Sequence, residues 1–198
     1  RKSTIIPRMY SIYGTPAESV VYKMMKQLQE QYGFINGVTA QEDGKGRNYI
    51  TNSFHQPVWI ESNIFDKIDF EAPFHWDKMA SGGHISQNEF AFGTPVTVLE
   101  QAVKYAMERG MYYGINIASS HCFDCGWNGE TADTCVECGS SNVVTIQRVC
   151  GYLSITSRNG HSVVNAGKTE ELLERVNHVG NAKKEYTKNF EKNHDIQR

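Results

Sequence analysis

The chain has 198 residues, of which 39% are hydrophobic and 21% are charged, and its formal net charge at pH 7 is -2. A chain of this length buries well over half of its unfolded surface, so it can form one large domain or a domain with a small appendage. No apolar run approaches the ~20 residues of a membrane-spanning helix, and the near-neutral charge argues against sequence-independent binding to nucleic acid. We expect a globular protein that acts neither in a membrane nor on nucleic acid.

The chain begins RKSTIIPRMY, with neither an initiator Met nor the residue order of a signal peptide. We therefore expect it to be part of a larger protein. Four of its five cysteines form two close pairs. An odd count with this spacing is more typical of reduced, metal-binding thiols than of a secreted disulfide framework, and it indicates a reducing cytoplasm.

The first predicted elements are a strand and a helix. The segment IIPRMYSIYG (5–14) has the pattern of a strand. In the helix that follows, Thr15 is a natural N-cap, Pro16 takes the first helical position and Glu18 completes a T-x-x-E capping box. The helix is expected to end at Gly33.

The start of this helix has two interpretations. Free backbone N–H groups at a helix N-terminus bind anions, so the amides of Ala17 and Glu18, together with the Thr15 hydroxyl, are a candidate site for a substrate phosphate. The alternative is a plain capping box, which the negative charge of Glu18 slightly favours. The sequence leaves both interpretations open.

The same pattern returns later in the chain. Thr94 and Pro95 begin a second predicted helix, Gly110 ends it, and a strand follows at 111–118. The order strand, helix, long irregular segment, helix, strand predicts α/β layering, or part of an α/β barrel, over roughly residues 1–118.

Two cysteine pairs, CFDC and CVEC, form the pattern C-x2-C-x9-C-x2-C, and a glycine follows each pair. The two-residue spacing lets one tight turn present both sulfurs to the same ion, and Gly126 and Gly139 suit such turns. Four thiolates fill the coordination sphere of a structural zinc and leave no open position for water or substrate. Redox dithiols, disulfides and an iron–sulfur cluster are the alternatives. The predicted zinc ligands are Cys122, Cys125, Cys135 and Cys138.

The segment RVCGYLS (148–154) places Gly151 in an otherwise strand-like run. Taken alone, such a glycine favours a strand bulge or the close approach of another backbone. However, RVCGYL, the downstream NAGK (165–168) and the double cysteine motif together resemble the C-terminal end of class III, anaerobic, ribonucleotide reductases.

Other segments resemble the same family in the same order, so the resemblance covers about residues 1–180. These segments are YGTPAES (13–19), YGFINGVT (32–39), YITNSFHQPV (49–58), FDKIDFEAPFH (65–75), GGHIS (82–86) and YYGINIA (112–118). The segments YITNSFHQPV and GGHIS contain His55 and His84, which either line an active site or, more commonly for such residues, pack under a loop with hydrogen bonds.

In the family that the chain resembles, the glycine of this motif carries a stable glycyl radical, which implies a catalytic role for Gly151. A radical at a glycine α-carbon is delocalised over the flanking amides, and the absence of Cβ lets the backbone flatten around it. Cys150 matches a position where family members also carry Thr, so it is interpreted as a buried neighbour and not as the catalytic thiol. Because YLS stands where YLG is more common, Gly151 is the only glycine of the heptapeptide.

The resemblance also implies an architecture: the C-terminal part of a glycyl-radical-type α/β barrel with an appended four-cysteine zinc knuckle and a radical loop. We expect part of the barrel in 1–118, the zinc-binding module in 119–145 and the radical strand and loop in 146–168. A C-terminal helix and polar tail are expected in 169–198, with the helix at 169–180.

The implied reaction begins with an activase that uses S-adenosylmethionine and an iron–sulfur cluster to abstract hydrogen from Gly151. The radical passes to a cysteine, whose thiyl takes the 3′-hydrogen of a ribonucleoside triphosphate; water leaves from C2′, and formate or a dithiol supplies electrons. Residues 1–118 contain no cysteine. We therefore expect the N-terminal portion of the reductase to be a partner that supplies the thiyl, within a homodimeric, cytoplasmic full enzyme.

Two other functions fit parts of the sequence. A zinc-ribbon module that binds nucleic acid is permitted by the cysteine spacing, but CFDCGWNGETADTCVECG contains no Lys or Arg. A spare-part glycyl radical protein, which replaces the broken radical loop of an oxygen-damaged enzyme, needs only the terminal segment. The hundred or so additional barrel-like residues favour a genuine portion of the reductase.

Overall fold

The computed structural model describes residues 12–14, 20–40, 46–51, 55–74 and 81–179. These residues form two sheets and four α-helices. One sheet is parallel and the other is antiparallel, and the two adjoin where the chain passes directly from one into the other.

The parallel sheet has three strands in the order β1-β2-β3. They are β1 (Tyr13–Gly14), β2 (Gly83–Glu89) and β3 (Tyr112–Asn116), with Ile85 paired to Tyr112. Parallel neighbours need a crossover connection, and a helix supplies it between β2 and β3. This confirms the predicted helix-then-strand order in that part of the chain.

Four helices accompany the sheets: α1 (Val20–Tyr32), α2 (Ile64–Glu71), α3 (Val96–Glu108) and α4 (Ala166–Glu174). A single 3-10 turn, Ala72–Phe74, follows α2. The apolar faces of α2 and α3 pack together beside β3 and form the main core. Its buried members are Ile64, Ile68, Phe90, Ala102, Ala106, Met111 and Val179.

The antiparallel sheet has five strands in the order β5-β4-β6-β7-β8. They are β4 (Ser119–Cys122), β5 (Asn128–Gly129), β6 (Val143–Arg148), β7 (Leu153–Arg158) and β8 (His161–Ser162). The long central pair, β6 and β7, forms a hairpin. The cysteine-bearing turns lie at the other end of β6.

The helix expected at 169–180 is present but has other bounds: α4 begins at Ala166 and ends at Glu174. Its N-cap is Asn165, whose side chain accepts from Lys168 N at 2.9 Å. After the helix the backbone becomes extended, and His178 N donates to Glu89 O at 3.2 Å. Contacts with the parallel sheet therefore end the helix well before Gly180.

The mixed α/β class is confirmed, but neither sheet closes into a barrel within the part of the chain that the structure describes. The N-terminal capping box falls on residues 15–19, which lie outside the described residues. None of the helices described has the length and apolar character needed to cross a membrane.

Replacing Gly167 by alanine tests the packing of α4. An added Cβ would overlap the backbone oxygen of Asn48 and lie 3.0 Å from Tyr22 Cβ. We expect Gly167→Ala to lower the free energy of unfolding by about 2 kcal/mol, because overpacking outweighs the gain in helix propensity. Urea titration measures this.

The matched control is Gly151→Ala, since a Cβ at Gly151 meets nothing within 4 Å. Its free energy of unfolding should equal that of the wild type. A Gly167→Ala variant as stable as this control would contradict the close packing of α4 against Asn48.

Candidate functional site

Two tight turns bring the cysteine pairs together at one end of the antiparallel sheet. Cys122 ends β4, and Gly126 N donates to Cys122 O at 3.0 Å, which closes the first turn. Gly139 N donates to Cys135 O at 2.9 Å and closes the second. Both glycines have positive φ, 79° and 72°, a conformation that glycine adopts without steric cost.

The four sulfur atoms lie within 4.8 Å of one another. Cys122 Sγ is 3.7 Å from Cys138 Sγ, and Cys125 Sγ is 3.5 Å from Cys135 Sγ. A tetrahedral zinc with Zn–S bonds of about 2.3 Å separates its sulfurs by roughly 3.8 Å. The four cysteines therefore fit a zinc ion, and their separations are far longer than the ~2.05 Å of a disulfide bond.

The hairpin of β6 and β7 carries the glycine that the sequence singles out. Arg148 and Leu153 form the last strand pair, and Val149 N donates to Tyr152 O at 3.0 Å across the turn. Gly151 thus lies in an exposed turn at the hairpin tip. The prediction of a strand-like environment around it is wrong, because the strands end on either side of the turn.

The backbone around Gly151 gives no structural reason for glycine at this position. Its φ is not in the left-handed region that glycine alone tolerates readily. A Cβ placed on it meets nothing within 4 Å. Within the described residues, neither a bulge nor the close approach of another backbone accounts for glycine at this position.

The turn is held by its carbonyl oxygens. Four successive carbonyls, from residue 148 to residue 151, each accept a hydrogen bond from a long polar side chain. We call the four donors, Gln87, Arg148, Lys168 and Arg175, the carbonyl clamp. The bonds are Arg175 Nη1 to Arg148 O (2.8 Å), Lys168 Nζ to Val149 O (3.0 Å), Gln87 Nε2 to Cys150 O (2.6 Å) and Arg148 Nη1 to Gly151 O (3.3 Å).

A comparison with protein families shows which family the chain belongs to. Residues 6–178 match the family model described as anaerobic ribonucleoside-triphosphate reductase. The chain belongs to this family.

Two relatives in the family show how much of the protein is present. The chain is 36% identical to the anaerobic ribonucleoside-triphosphate reductase of Escherichia coli over 181 residues, which are 87% of this chain and 24% of that protein. It is 37% identical to the enzyme of Enterobacteria phage T4 over 180 residues, 85% of this chain and 28% of that protein. The chain spans about a quarter of the length of the relatives it matches.

A solved reductase structure has a similar fold. The anaerobic ribonucleotide reductase of Thermotoga maritima, crystallised in complex with dATP and CTP, matches with a TM-score of 0.51 and 20% identity. The match covers 84% of this chain and 24% of that one. At this identity the likeness concerns the fold alone.

Behind the hairpin, two of the clamp cations, Lys168 and Arg175, belong to a buried ion network. Arg175 lies 2.8 Å from Glu171 and 3.3 Å from Glu89, and Lys168 pairs with Glu171. Burial alone would lower the pKa of Arg175, but the two carboxylates raise it. Burial raises the pKa of Glu89. The network borders a cavity of about 70 Å³ that Val149 also lines.

The two histidines noted in the sequence lie together. The rings of His55 and His84 are 4.8 Å apart, and His55 Nδ1 is 3.6 Å from Glu71 Oε1. Burial would raise the pKa of Glu71, but Lys67 and His55 outweigh it and lower the pKa to about 2. The three side chains have atoms within 4.8 Å of one another, as metal ligands do. Because Lys67 already balances the carboxylate charge, we interpret the group as a buried polar cluster.

His178 joins this region to β2. Its Nδ1 accepts from Glu89 N at 3.4 Å, and the residue is 5% exposed. Burial, and then the nearby Lys67, lower the pKa of His178 to about 3. The imidazole is therefore neutral in the folded protein near neutral pH.

The candidate phosphate-binding residues cannot be compared with this site. Thr15, Ala17 and Glu18 all lie outside the described residues. The structure brings together the four predicted zinc ligands and, separately, His55 with His84.

None of the four clamp residues is among the candidate site residues drawn from the sequence, although Arg148 lies in the motif RVCGYL and Lys168 in NAGK. Their sequence signals are weak, since each is a polar residue within a strand or near a helix. Lys168 and Arg175 flank Glu171 at helical spacing, which is the one local hint of an ion network.

Replacing one exposed zinc ligand tests the metal centre. We expect Cys125→Ser to reduce bound zinc from one ion per chain to nearly none, because serine does not replace a thiolate ligand. A loss of about 2 kcal/mol in stability would lower Tm by roughly 4–8 °C. Elemental analysis and thermal melting measure the two effects. Cys150→Ser is the control and should keep its zinc; full zinc in Cys125→Ser would refute the assignment.

The neutral state of His178 predicts acid sensitivity. Its pKa is about 3 in the folded state and 6.5 in the reference state, so only the unfolded chain gains the proton as pH falls below 6.5. The stabilisation that the neutral His178 contributes is therefore fully present above pH 6.5 and is lost as the pH falls towards 3. Between pH 7 and pH 5 we expect a loss of about 2 kcal/mol from this group.

Urea titrations of the wild type and His178→Gln at both pH values isolate this term, since the other titrating groups are common to both proteins. The variant should lose less stability on acidification. Equal losses in the two proteins would show that the imidazole carries a proton in the folded state.

Proposed function

We propose that this chain is the C-terminal portion of an anaerobic ribonucleoside-triphosphate reductase and that Gly151 is the residue on which the enzyme stores its radical. The complete enzyme converts ribonucleoside triphosphates to deoxyribonucleoside triphosphates. The observation that carries the proposal is that, within the described residues, a Cβ at Gly151 meets nothing within 4 Å and the φ of Gly151 lies outside the left-handed region, so that neither packing in this chain nor backbone strain requires glycine there. Radical chemistry at the α-carbon does require it.

The chemistry at Gly151 is the transfer of one hydrogen atom. An activase with an iron–sulfur cluster gives one electron to S-adenosylmethionine, which breaks into methionine and an adenosyl radical; that radical takes the α-hydrogen. The unpaired electron left on Cα is shared with the two flanking amides, which have to become coplanar with it. Glycine permits this because it has no Cβ.

The remainder of the reductase supplies what this chain lacks. The parallel sheet of β1, β2 and β3 has an unpaired edge at β3 within the described residues, where further barrel strands can pair. Residues 1–118 contain no cysteine for the thiyl radical. We propose that residues 1–118 complete an α/β barrel with the N-terminal portion, and that 146–168 bring the radical loop to it.

In the proposed turnover, the thiyl removes the 3′-hydrogen of the ribonucleotide and water leaves from C2′. Formate or a dithiol supplies two electrons, and the 3′-hydrogen returns from the cysteine to the product, which restores the thiyl. The candidate contacts to the substrate phosphate in this chain are the amides of Ala17 and Glu18 and the hydroxyl of Thr15. The alternative is that these residues form a plain capping box and bind no phosphate.

The zinc has a structural role in this proposal. Cys122 is paired with Val143, the first residue of β6, so the metal would fix the base of the strand whose other end carries Gly151. Four thiolates leave no open coordination position for substrate.

The other two functions have less support. The family match extends from residue 6 to residue 178, far more of the chain than a replacement radical loop needs. A zinc-ribbon that binds nucleic acid would need basic residues beside the cysteines, and the segment 122–139 has none. We place the full enzyme in the cytoplasm as a homodimer.

The variant Gly151→Ala tests the proposal. The chain is combined with the N-terminal portion of the reductase, the activase and S-adenosylmethionine without oxygen, and followed by electron paramagnetic resonance. The wild type should give a doublet from the single α-hydrogen, and Gly151→Ala should give none. Because a Cβ fits at this position, its zinc content and Tm should stay at wild-type values.

An alanine variant with an unchanged doublet, or with normal nucleotide reduction, would refute the assignment of Gly151. Cys150→Ser is the neighbouring control and should keep the doublet.

A further inference from the structure

The two peptide groups that flank the Gly151 α-carbon are each held by one side chain. Cys150 O, in the preceding peptide group, accepts from Gln87 Nε2 at 2.6 Å. Gly151 O, in the following peptide group, accepts from Arg148 Nη1 at 3.3 Å. An unpaired electron on Gly151 would be shared with these same two groups.

Both donors are anchored in the protein and are not free surface side chains. Gln87 lies on β2, paired with Gly114 in the middle of the parallel sheet. Arg148 Nε donates to Ile115 O at 3.4 Å, and Arg148 N donates to Asn116 Oδ1 at 2.8 Å. The orientation of the turn is therefore set by the parallel sheet.

The two bonds have different electronic effects. A hydrogen bond from a guanidinium is charge-assisted and stronger than one from a neutral amide. The bond from Arg148 stabilises negative charge and unpaired spin on the Gly151 oxygen. The spin density on the Gly151 Cα is lowered as a result. The bond from the neutral Gln87 amide acts mainly on geometry, because it fixes the plane of the preceding peptide group.

We propose that Gln87 and Arg148 are positioning residues for the stored radical, which fix the orientations of the peptide groups on either side of Gly151, and that the Arg148 guanidinium draws spin onto the Gly151 oxygen. This inference rests on the proposed function of Gly151. Lys168 and Arg175 hold the preceding carbonyls, at Val149 and Arg148, and keep the base of the turn in place.

The test uses the complete reductase assembled from this chain and its N-terminal portion, activated without oxygen. Arg148→Met removes the charge and the donor, Arg148→Lys keeps the charge, and Gln87→Leu removes the second donor. Arg158→Met, at the exposed far end of the same hairpin, is the matched control. Electron paramagnetic resonance gives the splitting by the α-hydrogen, the radical yield and its decay rate.

We expect a larger splitting in Arg148→Met than in the wild type, because more spin stays on Cα, and a partial return to the wild-type splitting in Arg148→Lys. The radical yield should fall roughly threefold to tenfold in Arg148→Met and in Gln87→Leu, as expected when one such hydrogen bond is lost. Arg158→Met should match the wild type in every measurement. A purely structural role would alter yield and not splitting.

Zinc content and Tm show whether each variant is folded. If Arg148→Met does not fold, Arg148→Lys and Gln87→Leu test the inference. If the folded variants give a doublet with the splitting and yield of the wild type, this inference is overturned and the proposed function of Gly151 stands. A wild-type enzyme without a doublet would remove the proposed function and this inference with it.

Discussion

The structure of the hairpin depends on the hydrogen bonds that its turn cannot make within itself. Between the last pair of β6 and β7 the strand ladder stops, and the carbonyls of residues 148–151 point to other parts of the protein. A buried carbonyl without a partner costs about 1–3 kcal/mol, so the bonds to the buried and part-buried carbonyls of residues 148–150 help to order the turn. The donors to the four carbonyls come from β2, β6 and the α4 region, and this makes the position of Gly151 a property of both sheets together.

The buried charges follow from the same requirement. Two of the clamp donors are cations that are almost fully buried, and such groups are stable only when carboxylates accompany them. Glu171 and Glu89 do so for Arg175, and Glu171 does so for Lys168. Lys67 and His178 lie in the same region. Burial, and then the charge of Lys67, lower the pKa of His178 and keep its imidazole neutral. Ordering this turn thus accounts for the buried ion pairs of Lys168 and Arg175 with Glu171 and Glu89.

Local features were predictable from the sequence, and features that depend on distant contacts were not. The zinc ligands follow from spacing within two short turns, and the α3–β3 order follows from local start and stop signals. The turn at Gly151 was not predicted from the sequence. It contains no positive-φ residue, which is the feature that usually makes a glycine diagnostic of a turn. The clamp bond from Gln87 joins residues 63 positions apart. The start of α4 at Ala166 depends on the Asn165 cap, which precedes the predicted helix start at 169.

The exposure of the hairpin tip has a consequence for where such a protein can work. A carbon-centred radical combines with dioxygen almost at each encounter, and the peroxyl product breaks the backbone at that residue. In this chain alone Gly151 is exposed, and a Cβ built on it meets nothing within 4 Å among the described residues. If Gly151 stores the radical as proposed, its shielding would have to come from the N-terminal portion, and cleavage at Gly151 would separate the four-cysteine segment from α4.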